Sequence, residues 1–502
     1  MTNQNTDRSS TGVPGLDEIL CGGYIPARIY LVEGHPGAGK TTMALQYLLE
    51  GLRRRERCLY VTLSETRDEL AAGAASHGWS LDGIEVTELI ADERQLLGDD
   101  QITMYHPAEV ELTETMRKVA ETLERVKPQR MVFDSLSELR LLAQSSLRYR
   151  RQIMVLKQHL HESNCTVLLL DDRTASGPDL QLQSITHGVL SLLHSAPTYG
   201  RALRQLEVVK FRGSDFISGL QDFSIRRGGL EVFPRLAAAE HATEFPREYV
   251  SSGVGELDAL LGGGIDRGTT TLLIGPPGTG KSTIALQYAA AAALRGDHAV
   301  VFSFEESPAI LMERANGLGM PFRCGGGPGE IAIRRIDPAE VSPGEFAHLA
   351  RLAVERHNAR VLVIDSLNGY LNAMPEDRFL AAQLHELLAY LNNRGVVTFM
   401  VTAQSGAIGG VMRAPIDASY LADTVIMLRM FEHAGRVKKA VSVMKKRSGR
   451  HEETIRQVWF DAAGVHVGEP LMHLRGVLTG VPVEITASAR ADELEVAKGD
   501  VR

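Results

Sequence analysis

The sequence predicts an α/β protein made of two tandem domains, each a mostly parallel sheet flanked by helices. Short apolar runs alternate with longer helical patterns along the chain, which is typical of a parallel sheet covered on both faces. The same succession of landmarks occurs twice. A length of 502 residues is enough for two hydrophobic cores.

The apolar runs of the two halves match one another in order. In the first half we predict strands at Ile29–Glu33, Cys58–Leu63, Arg130–Asp134 and Thr166–Asp171. In the second half we predict strands at Thr270–Ile274, Ala299–Phe304, Val361–Asp365 and Val396–Thr402. We place the domains at 1–236 and 247–485, with a linker between them. The charged segment 486–502 lacks apolar periodicity and is predicted to be a flexible tail.

An internal repeat relates the two halves. A spacing of 241 residues separates Gly12 from Gly253, Lys40 from Lys281, and Glu65 from Glu306. The spacing falls to 231 between Asp134 and Asp365, and is 235 between the basic segments at 210–212 and 445–447. So many shared features in one order indicate a duplication.

Composition narrows the class of protein. Hydrophobic residues make up 44% and charged residues 23%, the balance of a soluble globular chain. No run approaches the roughly 20 apolar residues of a membrane span, and the N-terminus does not resemble a secretory signal, so we expect a cytoplasmic protein. The four cysteines form no CxxC pair, which disfavours a disulfide framework or a cysteine metal site. The net charge of −8 gives no overall attraction to nucleic acid.

Two segments satisfy the phosphate-binding pattern G-x-x-x-x-G-K-[ST], each between an apolar strand and a helical stretch. In that context the glycines let backbone N–H groups face phosphate oxygens, and the helix N-terminus adds partial positive charge. A glycine-rich turn is the alternative, which the recurrence disfavours. The predicted ATP-binding residues are Gly34, Gly37, Gly39, Lys40, Thr41 and Thr42, and Gly275, Gly278, Thr279, Gly280, Lys281, Ser282 and Thr283.

A Mg²⁺ ion is expected beside each loop. The hydroxyls of Thr41 and Ser282 follow the loop lysines, where such groups ligate Mg²⁺. Asp134 and Asp365 each end an apolar strand and precede a serine, and this recurrence indicates the carboxylate partners of the metal.

Acidic residues also follow the second strand of each half. Glu65 stands alone there in the first half, whereas Glu305 and Glu306 are adjacent in the second. A carboxylate beside a nucleotide can orient or deprotonate the attacking oxygen, so we predict these three as catalytic. Acids at a helix N-terminus that interact with the helix dipole are the alternative.

With these motifs the chain resembles the KaiC family of circadian clock proteins, two-domain members of the RecA-like P-loop NTPases. The resemblance covers the Gly-Leu-Asp openings, both phosphate loops, the Glu-Glu-Ser segment, both Asp-Ser strand ends and the late basic segments. It implies a homohexamer of two stacked rings with ATP between neighbouring subunits. It also implies slow hydrolysis in the first ring and autophosphorylation on serine or threonine in the second.

The resemblance assigns further residues. Lys445, Arg447 and His451 match positions that reach a neighbour's ATP, and Lys210 and Arg212 match the first-ring equivalents. Phe216 stands where the family has a histidine, and Ser64 replaces one glutamate of the first-ring pair. A solvated basic cluster is the alternative for 445–447.

The same resemblance places the phosphoacceptor at Ser419, with Tyr420 in place of the family's acceptor threonine. A structural serine near a subunit boundary is the alternative. A KaiB-type protein is a candidate partner. A KaiA-type activator is not expected, because the 17 residues after Ile485 match the family's activator-binding peptide poorly.

Two functions of other classes remain open. One is a RecA- or helicase-like motor dependent on nucleic acid, for which the basic run 53–57 is the best candidate contact. That run follows a predicted helix, where cations also suit the helix dipole. The other is a scaffold that binds ATP only to assemble, which the retained glutamates and aspartates disfavour. The sequence therefore favours a KaiC-type ATPase and serine autokinase.

Overall fold

The computed structural model describes residues 8–89, 107–143, 145–173, 180–196, 200–236, 243–320, 322–372, 380–404 and 419–485. The chain divides into two compact units, Met1–Arg235 and Leu236–Arg502. Each unit contains one large, mostly parallel sheet with flanking helices, which confirms the predicted fold class. The predicted flexible tail at 486–502 lies outside the described residues.

The first unit contains a nine-stranded sheet of order β3-β2-β4-β5-β1-β6-β7-β8-β9, parallel from β3 to β6 and antiparallel from β6 to β9. Its strands are β1 (Ile29–Gly34), β2 (Cys58–Thr62), β3 (Ile84–Glu88), β4 (Arg130–Asp134), β5 (Thr166–Asp172), β6 (Gly188–Ser195), β7 (Leu203–Phe211), β8 (Leu220–Arg226) and β9 (Gly229–Phe233). Its helices are α1 (Leu16–Ile19), α2 (Lys40–Arg53), α3 (Arg67–Ser76), α4 (Pro107–Val126), α5 (Leu136–Ala143), α6 (Ser146–Glu162) and α7 (Leu180–Ile185).

The second unit repeats this plan with a ten-stranded sheet of order β14-β15-β13-β16-β17-β12-β18-β19-β20-β21. Two further sheets have two strands each, β10-β11 and β22-β23. The strands of this unit are β10 (Tyr249–Val250), β11 (Ile265–Asp266), β12 (Thr270–Gly275), β13 (His298–Ser303), β14 (Arg323–Cys324), β15 (Glu330–Arg335), β16 (Ala359–Asp365), β17 (Val397–Ala403), β18 (Thr424–His433), β19 (Arg436–Lys446), β20 (Arg456–Asp461), β21 (Gly464–Pro470), β22 (Leu474–Arg475) and β23 (Val483–Glu484). Its helices are α8 (Gly255–Leu260), α9 (Lys281–Leu294), α10 (Pro308–Gly317), α11 (Pro343–His357), α12 (Leu367–Asn372), α13 (Leu380–Asn393) and a 3₁₀ turn at Val477–Thr479.

Continuous apolar strands form because both faces of each sheet are covered. In β1, Tyr30 and Val32 belong to one core cluster, and Leu31 belongs to the cluster on the opposite face. In β12, Leu273 and Leu272 divide in the same way. Full burial of such a side chain contributes roughly 1.5–3 kcal/mol. Both faces of these strands are therefore apolar. This explains why the sequence predicts them from continuous apolar runs, although apolar and polar residues do not alternate along them.

The eight predicted strands correspond to β1, β2, β4, β5, β12, β13, β16 and β17, with ends that agree within two residues. The antiparallel strands β7–β9 and β19–β21 were not predicted. Residues of β7 alternate between buried and partly exposed positions, so that strand has no continuous apolar run. The order of both sheets places β1 and β12 centrally, with the phosphate loops at their carboxyl ends.

Candidate nucleotide-binding sites

Each phosphate loop joins a central strand to a buried helix. Gly39 and Gly280 are the residues before α2 and α9, with φ of 107° and 102°. A Cβ at Gly39 would lie 2.6 Å from the Ile225 side chain, and one at Gly280 would overlap the ring of Phe460. Only glycine fits both this backbone conformation and this spacing. The loops are thus held tightly against their own sheets.

The loop lysines lie inside these turns and are almost completely buried. Lys40 Nζ donates to the carbonyl oxygens of Gly34 and His35 at 3.0 and 3.1 Å. Lys281 Nζ donates to those of Gly275 and Pro276 at 2.9 and 2.7 Å. Burial lowers the pKa of Lys281 to about 8, although the charges of Asp365 and Glu305 act to raise it.

The other predicted loop residues lie on the same turns. Thr279 is fully buried, and its hydroxyl donates to the Pro276 carbonyl at 2.8 Å, so its side chain braces the loop and leaves only its backbone for a ligand. Gly37 is exposed, and a Cβ there would meet nothing within 4 Å. Thr42 and Thr283 are the third residues of α2 and α9.

The predicted metal-side residues come together in both units. Thr41 Oγ1 lies 3.3 Å from Asp134 Oδ2, and Ser282 hydrogen-bonds Asp365. Burial raises the pKa of both aspartates, which these hydroxyls partly counteract. The donor sets consist of hydroxyl and carboxylate oxygens, which fit Mg²⁺.

The predicted catalytic segments are tied to the same aspartates. Leu63 N–H donates to the Asp134 carbonyl, and Phe304 N–H donates to the Asp365 carbonyl, both at 2.7 Å. The next residue differs between the two segments, because it is Ser64 in the first unit and Glu305 in the second. Glu305 accepts a hydrogen bond from Ser366, next to the metal-side aspartate.

Glu306 and Glu65 occupy equivalent positions with different surroundings. Arg314 on α10 forms an ion pair with Glu306 at 2.7 Å. The counterpart of Arg314 in α3 is Gly73, where a Cβ would meet nothing within 4 Å. Burial, reinforced by the negative charge of Asp134, raises the pKa of Glu65. The second site thus holds two partnered carboxylates, and the first holds one with a raised pKa.

The first site contains two further polar groups that the sequence did not reveal. Asp172, at the end of β5, forms an ion pair with Lys40 at 2.6 Å. Tyr60 donates to Asp134 at 2.5 Å. Burial, together with the charge of Asp134, raises the pKa of Tyr60, so its hydroxyl stays protonated as a donor. Sheet register places Ala403 and Val301 at the equivalent positions of the second unit.

The predicted basic residues contact backbone of their own chain. Lys445 donates to the carbonyls of Ser419 and Ala422 at 2.9 and 2.7 Å, and Arg447 donates to that of Tyr420 at 3.2 Å. In the first unit the matching contacts are Lys210 with the Gln183 carbonyl and Arg212 with the Ser184 carbonyl. These residues line the segment of the predicted acceptor rather than the phosphate loops of their own unit.

These contacts align Ser419 with Gln183 of the first unit. The Gln183 amide donates to the buried carboxylate of Glu33 at 3.1 and 3.2 Å. Ser419 is partly buried and the neighbouring Tyr420 is exposed. The first unit therefore has an amide, which cannot accept phosphate, where the second has a hydroxyl.

The positions of His451 and Phe216 also correspond. The residue after each, Glu452 and Ile217, donates its N–H to the end of the first helix of its unit, at Leu260 and Ile19. Phe216 packs against the first core, whereas His451 lies partly exposed beside Gly262. Phe216, which stands at the position of His451, is thus part of the hydrophobic packing of the first unit.

The basic run 53–57 is largely engaged within the first unit. Arg53 and Arg54 pair with Glu50 at 2.7 and 2.6 Å, and Arg57 donates to the Lys127 carbonyl at 2.8 Å. Glu56 pairs with the buried Arg130. These contacts indicate that the run ends α2 and fixes the chain that follows it to the rest of the unit.

In the described ranges no helix is long and apolar enough to cross a membrane.

Comparison with known proteins agrees with this pair of sites. A family model described as "ATPase: KaiC" matches residues 9–237 and 250–472. Similar proteins include the circadian clock protein KaiC3 of Synechocystis sp., 25% identical over 98% of this chain and 98% of that protein. The circadian clock oscillator protein KaiC of Parasynechococcus marenigrum is 23% identical over 99% of this chain and 97% of its own length. The KaiC of Parathermosynechococcus lividus is 25% identical over 96% of this chain and 89% of its own length. The chain therefore belongs to the KaiC family of ATPases.

Proposed function

We propose that this protein is an ATP-dependent serine autokinase and slow ATPase of the KaiC type. The observation that carries the proposal is the pair Glu305 and Glu306 in the second unit. Ser366 orients Glu305, whose charge acts on Lys281, and Arg314 orients Glu306. A site that binds ATP only to hold subunits together has no need of two oriented carboxylates at its metal side.

Both units would bind ATP at their phosphate loops. The backbone N–H groups of the glycine turns and the loop lysines would hold the phosphates. Mg²⁺ would be held by Thr41 and Asp134, or by Ser282 and Asp365, and would neutralise charge on the phosphate oxygens. The fit rests on the 3.3 Å approach of Thr41 to Asp134 and the equivalent Ser282–Asp365 contact.

Phosphate transfer would take place in the second unit. The Ser419 hydroxyl would attack the γ-phosphorus as the bond to ADP breaks, and Glu305 would accept the hydroxyl proton. Glu306, held by Arg314, would keep Glu305 in place. In the first unit Glu65 would orient water, so ATP there would be hydrolysed slowly.

We further propose that the chain acts as a homohexamer of two stacked rings with shared sites. Lys445, Arg447 and His451 in one ring, and Lys210 and Arg212 in the other, would reach the ATP of a neighbouring subunit. A cation supplied in this way makes activity depend on assembly. The names of the relatives support a clock-related signalling role. We further propose that this protein acts in the cytoplasm and that a KaiB-type protein is its partner.

The test is incubation of the purified protein with γ-labelled ATP, followed by peptide mapping. We expect label on the peptide that contains Ser419, and loss of that label in Ser419→Ala. Tyr420→Phe is the matched control, which should keep the label because it removes only the neighbouring hydroxyl. Unlabelled wild type, or label undiminished in Ser419→Ala, would overturn the assignment.

A further inference from the structure

The two loop lysines differ in how many partners they have. Lys40 Nζ makes three contacts, to two loop carbonyls and to Asp172 Oδ1. An ammonium group has three N–H donors, so this set occupies all of them. In the described part of the chain, Lys281 Nζ makes only the two carbonyl contacts. The second lysine retains a donor for a phosphate, whereas the first must exchange one.

The position of Asp172 is fixed by the sheet. It pairs with Gly34 in the β1–β5 register, and its N–H donates to Ser137 Oγ at 3.0 Å. Ala403 pairs with Gly275 in the corresponding β12–β17 register. A carboxylate therefore stands beside the phosphate loop of the first unit, and a methyl group stands at that point in the second.

The ion pair is sheltered from solvent. The Lys40 side chain is 8% exposed and that of Asp172 is 28% exposed. Asp172 also lies close enough to Asp134 for its charge to raise the pKa of that carboxyl. Its negative charge thus acts on both the lysine and the metal side of the site, where a triphosphate carries its highest charge.

We propose that Asp172 is an affinity-determining residue that competes with nucleotide phosphates for Lys40. Asp172 weakens the binding of nucleotide at the first site, and it weakens the binding of ATP more than that of ADP because ATP carries one more negative charge. This inference rests on the proposed binding of ATP at both loops.

The test measures each site alone with a fluorescent ATP or ADP analogue, in the presence and absence of Mg²⁺. In a Lys281→Ala background, which silences the second site, Asp172→Asn should bind the ATP analogue about tenfold more tightly, a difference of about 1.4 kcal/mol. The ADP analogue should gain about threefold, because it carries less charge. In a Lys40→Ala background, Ala403→Asp should weaken binding of the ATP analogue at the second site about tenfold.

Asp171→Asn is the matched control, because Asp171 pairs with Arg140 at 2.8 Å instead of Lys40. It should leave affinity at the first site unchanged. Equal or weaker binding by Asp172→Asn would overturn the inference, and weakening confined to the Mg²⁺ samples would make Asp172 a metal-side ligand instead. If Asp172→Asn does not fold, Ala403→Asp decides alone. Absence of binding at both wild-type sites would refute the proposed function itself.

Discussion

The two units share one fold and one phosphate loop but surround it with different charges. In the first unit the carboxylate of Asp172 forms an ion pair with Lys40, and a single glutamate, Glu65, lies near Asp134. In the second unit no carboxylate of the described residues pairs with the lysine, and two glutamates are held by Ser366 and Arg314. Both units keep the same loop backbone, and a few side chains at strand ends and on one helix distinguish the activities that we propose for them.

Loss of the arginine that pairs with Glu306 should have a larger effect than the changes in pKa, affinity and stability described after it. Arg314→Ala removes the ion pair with Glu306, and we expect phosphate transfer to fall about tenfold because the carboxylates lose their fixed position. Arg314→Lys should recover part of the rate. Labelling rates with γ-labelled ATP measure both variants, and an unchanged rate in Arg314→Ala would show that the pair is only structural.

The reciprocal change, Gly73→Arg, offers Glu65 the partner that it lacks. A nearby cation should lower the raised pKa of Glu65. A carboxylate that orients water works when ionised, so the acid limb of phosphate release should move to lower pH. A pH–rate profile of phosphate release measures this shift, with Gly73→Gln as the uncharged control. A shift toward higher pH would contradict the role of Glu65.

The affinity of the second site for ATP should depend on pH, with a change somewhat smaller than tenfold. Burial lowers the pKa of Lys281 to about 8. In the protein without nucleotide, Lys281 therefore loses its proton as the pH rises through that value. Bound phosphates favour the charged form, so binding takes up a proton. In a Lys40→Ala background, affinity should therefore fall about fivefold from pH 8 to pH 9. Calorimetric titrations at several pH values measure this, and affinity that rises with pH would contradict it.

The smallest difference should be in stability. Gly39→Ala and Gly280→Ala share the strain of a positive φ, of roughly 1 kcal/mol or more. The added methyl meets the flexible end of Ile225 in the first case and the rigid ring of Phe460 in the second. Gly280→Ala should therefore destabilise by about 1 kcal/mol more. Urea unfolding measures both variants, and equal losses would show that Phe460 can shift aside.

Much of the fold could be predicted because its central strands are apolar on both faces. The loops were predictable for a related reason, since their glycines, lysines and hydroxyls are contiguous in sequence. Asp172 was not found, because its contact with Lys40 depends on the register of β1 and β5. The contrast with Ala403 is the signal that could have revealed it.

Other residues were hidden by their local pattern. Tyr60 lies within a fully buried strand and counted as apolar, although its hydroxyl reaches Asp134. Arg314 lies in the last turn of α10, where a cation also suits the helix dipole. In both cases the side chain acts through a residue distant in sequence, which periodicity cannot show.

The division of labour between the units is tested most directly by measuring phosphate release and protein labelling together in two variants. Glu65→Gln should lower phosphate release by a factor of about 100 or more while label on Ser419 persists. The double substitution Glu305→Gln and Glu306→Gln should abolish the label while most phosphate release and ATP binding remain. If both readouts fall together in either variant, with assembly and ATP binding intact, the two units do not divide the chemistry.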